Sequence, residues 1–156
     1  MSTFAARSLF LLVALFPALA CAGGRAAIHR IEGKTLVPVP VKELLKQGPD
    51  QNWSQGVQVR NLGGNEQVSS HVVWIKTEEK LHTHAKHDAT VMLLKGRGTL
   101  WFAGQEVRMK EGDVVTITRG IVHAFKNESK DAAAAYVVFT PPFDGKDVIE
   151  AGDVVR

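Results

Sequence analysis

EGDVVTITRGIVHAFKN, residues 111–127, holds two strands and the turns that introduce them. EGD is a turn signal ahead of VVTIT, a run of β-branched residues, and Arg119-Gly120 breaks the chain again before IVHAFKN. β-Branched side chains are stiff at χ1 and fit a pleated surface better than a helix, so the stretch reads as turn, strand, turn, strand. The same grammar extends to both sides of it. VQVRNL is followed by GGN, EQVSSHVVWIKTE by EKL, TVMLLKG by RG, TLWFAG turns into EVRMK, and AAAAYVVFT ends at Pro141-Pro142. Ala132–Ala135 resembles a helix start, but Tyr136-Val137-Val138-Phe139-Thr140 has strand composition and takes the segment with it. Strands recurring about every 8 to 12 residues indicate an all-β sandwich or barrel.

Size and charge limit the alternatives. A chain of 156 residues with 45% hydrophobic and 22% charged content suits one compact domain. Its 19 Lys and Arg against 16 Asp and Glu are scattered rather than gathered into a stripe, which gives no ground for a nucleic-acid surface.

The N-terminus has a separate logic. Arg7 is the only charge before LFLLVALFPALACAGG, Leu9–Gly24, and residues 1–20 read as an export signal, with Ala18-Leu19-Ala20 as a cleavage site. The strongly apolar part, Leu9–Phe16, ends at Pro17 and is far shorter than the about 20 residues a transmembrane span requires. Cys21, the only cysteine, resembles the lipid acceptor of bacterial lipoproteins, whose box usually has Leu where this chain has Ala18. The mature protein is therefore expected in the periplasm, or anchored in the cell envelope through Cys21. A lone cysteine also rules out an internal disulfide. Residues 21–33 read as a flexible tether and residues 34–156 as a single domain with its motif-bearing part at 56–142. TLVPVPV, Thr35–Val41, is extended, and VKELLKQG, Val41–Gly48, is the one short helix.

The chemistry lies in the histidines. His82 and His84 stand two apart, and side chains at i and i+2 of a strand share a face. Taken alone, the pair also fits a histidine-rich polar turn. His123 adds a third imidazole at a distance. With it the chain resembles the cupins, whose two motifs are G-x5-H-x-H-x3,4-E-x6-G and G-x5-P-x-G-x2-H-x3-N. The second is matched at Gly112, Gly120, His123 and Asn127, with Thr118 in the proline place; the first is matched at His82, His84 and Gly96, and 15 residues, Arg97–Glu111, separate the two. The resemblance implies a small antiparallel jelly-roll barrel, with a metal held by His82, His84 and His123.

One position departs from that pattern. The family's glutamate falls on Ala89, which cannot bind metal. His87 and Asp88 are the candidate fourth ligands, although Asp88 is one residue out of register and a regular strand would turn it to the opposite face. Three neutral imidazoles with exchangeable positions suit one divalent transition metal ion, Fe, Zn, Cu, Ni or Mn, and do not choose among them. Three-histidine cupin sites resemble those of dioxygenases acting on small organic substrates, so a metal-dependent oxidoreductase is one expectation. A non-catalytic module binding metal or a small ligand is the other. A titratable group in the cavity, from Glu78, Glu79, His87 or Tyr136, would separate them. Arg60, Trp74, Trp101, Phe125 and Tyr136 are candidates for shaping a pocket, with Arg60 meeting an anion if its strand faces inward. His29 and His71 lack ligand-like spacing. The tail Phe143–Val155 and the sheet edges offer pairing to a second copy, hence an expected homodimer.

Overall fold

The computed structural model describes residues 26–50, 52–53 and 56–152; residues 1–20, read from sequence as an export signal, and Cys21 lie outside these. Two five-stranded antiparallel sheets close into the expected all-β jelly roll. In one, β3 (Val57–Gly64), β4 (Ser69–Ile75), β11 (Ala133–Thr140), β6 (Asp88–Lys95) and β9 (Val114–Ile117) lie side by side. In the other the order is β12 (Val148–Glu150), β5 (His82–His84), β10 (His123–Asn127), β7 (Arg97–Phe102) and β8 (Gln105–Lys110). The tail read as a pairing element for a second copy thus forms β12 on its own chain's β5, with Val148 opposite His84 and Glu150 opposite His82. Among the described residues no helix is long and apolar enough to cross a membrane.

The composition of β4 shows how the layers are built. Val73 and Ile75 point into the barrel, where they pack with Leu93, Leu100, Met109 and Phe125. Val72 and Trp74 point out, yet both are buried, against Leu44, Leu94 and Ala134. A strand covered on both faces needs no polar alternation, which is why HVVWI is apolar almost throughout.

The outer cover comes from the N-terminal segment. Residues 27–32, assigned by sequence to the tether, form β1 (Ala27–Glu32), which pairs with β2 (Thr35–Pro40) from Ala27 opposite Pro40 to Glu32 opposite Thr35. Helix α1 (Val41–Gln47) follows and buries Leu44. Ile28, Val39, Val41 and Leu45 pack on the same outer cluster. Gly33, at φ +62°, makes the turn between the strands. The polar, glycine-bearing sequence here is a hairpin that packs Ile28 and Val39 against the outer cluster, not a free linker.

Two residues hold β10 in place. Asn127 Nδ2 donates to the carbonyls of Ile75, Lys76 and Asp131, and its Oδ1 accepts from Ser129 N at 2.9 Å, so the residue pins the end of β10 to β4. Gly98 lies on β7 opposite Asn127 of β10, and a Cβ there would overlap the Lys126 carbonyl and the Phe125 ring. We expect Gly98→Ala to lower the melting temperature by several degrees and to weaken metal retention, because the strand it displaces carries His123. Thermal unfolding with elemental analysis checks both effects; unchanged stability would mean β10 yields more easily than its packing implies.

Candidate metal centre

The sheet that contains β5 and β10 brings the three histidines together. His82 and His123 are cross-strand partners, and His84 lies two residues along β5 on the same face. Their ring centroids are 4.3 Å apart for His82–His123, 5.1 Å for His82–His84 and 5.6 Å for His84–His123. One ligand nitrogen from each lies within 4.8 Å of the others.

Backbone carbonyls orient two of the rings. His82 Nδ1 is 2.8 Å from Lys80 O and His123 Nδ1 is 2.9 Å from Ile121 O. A carbonyl only accepts, so Nδ1 carries the proton in each ring and Nε2 keeps its lone pair, the second-sphere arrangement usual for metal-binding histidines. Burial, reinforced by the neighbouring His82, pushes the His123 imidazolium down to about 4. Burial and His82 also lower His84, against an opposing influence from Asp147. The two groups are therefore neutral at neutral pH and competent as ligands.

Further contacts fix the approach of β10 to β5. Gly120 N donates to His84 O at 2.7 Å across the turn before β10. Beside it, Arg119 closes on Asp88: its backbone N reaches Oδ1 at 2.8 Å and Nη2 reaches Oδ2 at 2.7 Å. These bonds from Arg119 hold the Asp88 carboxyl down to about 2. Asp88 thus ties the two ligand-bearing segments together from outside the cluster.

Neither candidate fourth ligand joins the triad. Asp88 is turned away by the strand's two-residue period and spent on Arg119. His87 is buried, with Nδ1 2.6 Å from Asp147 Oδ2 and Nε2 3.1 Å from Pro142 O, so both ring nitrogens face oxygen acceptors. Burial alone would raise the Asp147 carboxyl; the Lys86 N–H and His87 hold it below its ordinary value. Ala89, at the family's glutamate position, does face inward and lines the same cavity as the triad, presenting a methyl group there.

That cavity measures about 450 Å³ and occupies the barrel interior. Glu79 stands on its wall beside the histidines. Its Oε2 accepts from Phe125 N at 3.0 Å while its own N–H donates to Phe125 O at 2.9 Å. Burial raises the Glu79 carboxyl, opposed by His82 and by the Phe125 N–H.

Of the pocket-shaping candidates, Phe125 lines the cavity and the others do not. Arg60 faces outward, 4.7 Å over the Trp74 ring, and donates to Gly48 O at 3.0 Å. Trp74 and Tyr136 belong to the outer cluster, and Trp101 lies in a separate groove with Glu106 and Lys126. His71 is buried behind the site, 2.8 Å from Ser69 Oγ and edge-on to Phe139 and Phe143; burial lowers it. His29 lies in β1, away from the triad. Phe143 and Asp147, which sequence reasoning passed over, pack behind His84 and His87, and their tail position gave no motif to find them by.

Fold and site together define a cupin, and the chain belongs to that family: a Cupin domain model matches residues 71–139. A relative in Aquifex aeolicus (strain VF5), described as an uncharacterized protein, is 36% identical over 109 residues, covering 70% of this chain and 88% of that protein. The structure of KdgF from Halomonas sp. is similar with a TM-score of 0.56 at 18% identity, over 64% of this chain and 91% of that one. TT1209 from Thermus thermophilus gives a TM-score of 0.55 at 21% identity, over 64% of this chain and 95% of that one. At these identities the two structures speak for the fold alone. The three clustered histidines fit a metal-binding cupin.

Proposed function

We propose that this protein is a metal-dependent cupin enzyme of the cell envelope, dioxygenase-like, acting on a small organic molecule. One observation carries the reading: the free faces of His82, His84 and His123 converge on a cavity large enough for a small substrate, and the Glu79 carboxyl stands on the same wall. His82, His84 and His123 would hold a divalent transition metal there, which would supply Lewis acidity and redox chemistry. The protein's own groups do the rest. The apolar barrel excludes water, the histidine wall orients the reacting group, and Glu79 accepts or returns its proton.

Export rests on residues 1–20, with Cys21 as a lipid anchor or a free mature N-terminus. Assembly of two copies would use the open sheet edges.

Elemental analysis of the purified full-length chain, followed by oxygen-consumption assays on small thiols and phenols, tests the activity. Glu79→Gln should keep its metal and lose turnover by about 10²-fold or more, the usual contribution of a positioned acid–base group. Stoichiometric metal with no turnover in either protein would favour the non-catalytic binding module, which the methyl group of Ala89 in place of a carboxylate already recommends as the alternative.

A further inference from the structure

We propose that the cavity selects a molecule with an uncharged, apolar body and one metal-binding donor group, and discriminates against molecules whose body carries a carboxylate or phosphate. This rests on the metal site proposed above and names its substrate class. Much of the wall is formed by Leu93, Leu100, Met109, Val115, Ile117 and Val137, side chains with nothing to offer a charged group. A carboxylate buried against them would lose its hydration without a replacement partner. The polar groups gather on the histidine side, so a bound molecule has one orientation available: donor atom toward the triad, body into the barrel.

The charged lining points the same way. Glu78, Glu79 and Glu150 face the cavity against a single described cation, Lys80. The Lys80 ammonium is held by Glu150 Oε1 at 2.7 Å. Arg60, the sequence's candidate for an anion, is on the outer face of the barrel. Among the described residues lining the cavity, none is a guanidinium and the one ammonium is already paired.

A pair of near-isosteric thiols tests this. Cobalt-loaded protein is titrated with 4-isopropylbenzenethiol and with 4-mercaptobenzoate, following the thiolate-to-cobalt absorption band. The two ligands share a head and differ at the far end, where one is apolar and the other anionic. The isopropyl compound should bind at least about tenfold more tightly, a difference of about 1.4 kcal/mol. Equal or reversed affinities would overturn the inference while leaving the metal site intact. Failure to take up cobalt would instead count against the metal reading. Displacement of the neutral fluorophore N-phenyl-1-naphthylamine from metal-free protein by the same two compounds then judges the cavity by itself, with the isopropyl compound expected to compete and the carboxylate not.

Discussion

His123→Ala is expected to leave less than about a tenth of the wild-type metal content after dialysis, and His82→Ala to do the same. Loss of a partner that merely orients a ligand usually costs 10–100-fold in metal affinity, and removing one of three ligands should cost more. His87→Ala is the matched control. Both nitrogens of His87 face oxygens of Asp147 and Pro142 rather than the triad, so this variant should keep its metal while becoming less stable. Elemental analysis of the three variants side by side decides whether the site has three imidazoles. If His87→Ala lost metal as completely as His123→Ala, the triad would have to become a tetrad.

The metal-free protein should lose stability as the pH falls from about 6.5 toward 4. In the unfolded chain an imidazole takes up its proton near 6.5, whereas the buried His123 stays neutral down to about 4. Between those values the unfolded state binds more protons, so acid favours unfolding; above 6.5 the contribution to stability is complete. The difference amounts to about 3 kcal/mol for His123, and His84, lowered in the same direction, adds to it. Metal occupancy should fall over the same range, because protons and metal compete for the same lone pairs. Urea unfolding of metal-free protein at a series of pH values gives the slope directly. His123→Gln, which cannot titrate there, should flatten the curve; an unaltered slope would assign the effect elsewhere.

The histidine triad was legible because its signal is local. A strand's two-residue period puts His82 and His84 on one face, and the interval to Gly120 and His123 repeats a family spacing. The β-rich fold was legible for the same reason, through β-branched runs between turn residues. Other features depend on which surface happens to be covered. Residues 27–32 look like linker because no local pattern shows that Ile28 and its cross-strand partner Val39 are covered by the outer cluster. Arg60 alternates correctly along β3, but only the position of α1 and the Gly48 carbonyl shows that its side of the strand is the outer one. Trp74 and Tyr136 carry no mark in the sequence that separates an outer cluster from an inner pocket.

The sequence by itself determined most of the strands between residues 56 and 142, through residue type and short-range periodicity, and, through its resemblance to the cupin motifs, the three imidazoles and the missing carboxylate at Ala89. The tertiary structure decided what surrounds them. It spent Asp88 on Arg119 and His87 on Asp147, brought the distant tail onto β5, and set Glu79 on the cavity wall beside His82. His87 and Asp147 are 60 residues apart, and the tail is fastened over a longer span still by the bond from Phe143 N to Ser69 Oγ, 74 residues apart. Only closure of the barrel brings such groups within hydrogen-bonding distance, and no local pattern encodes it.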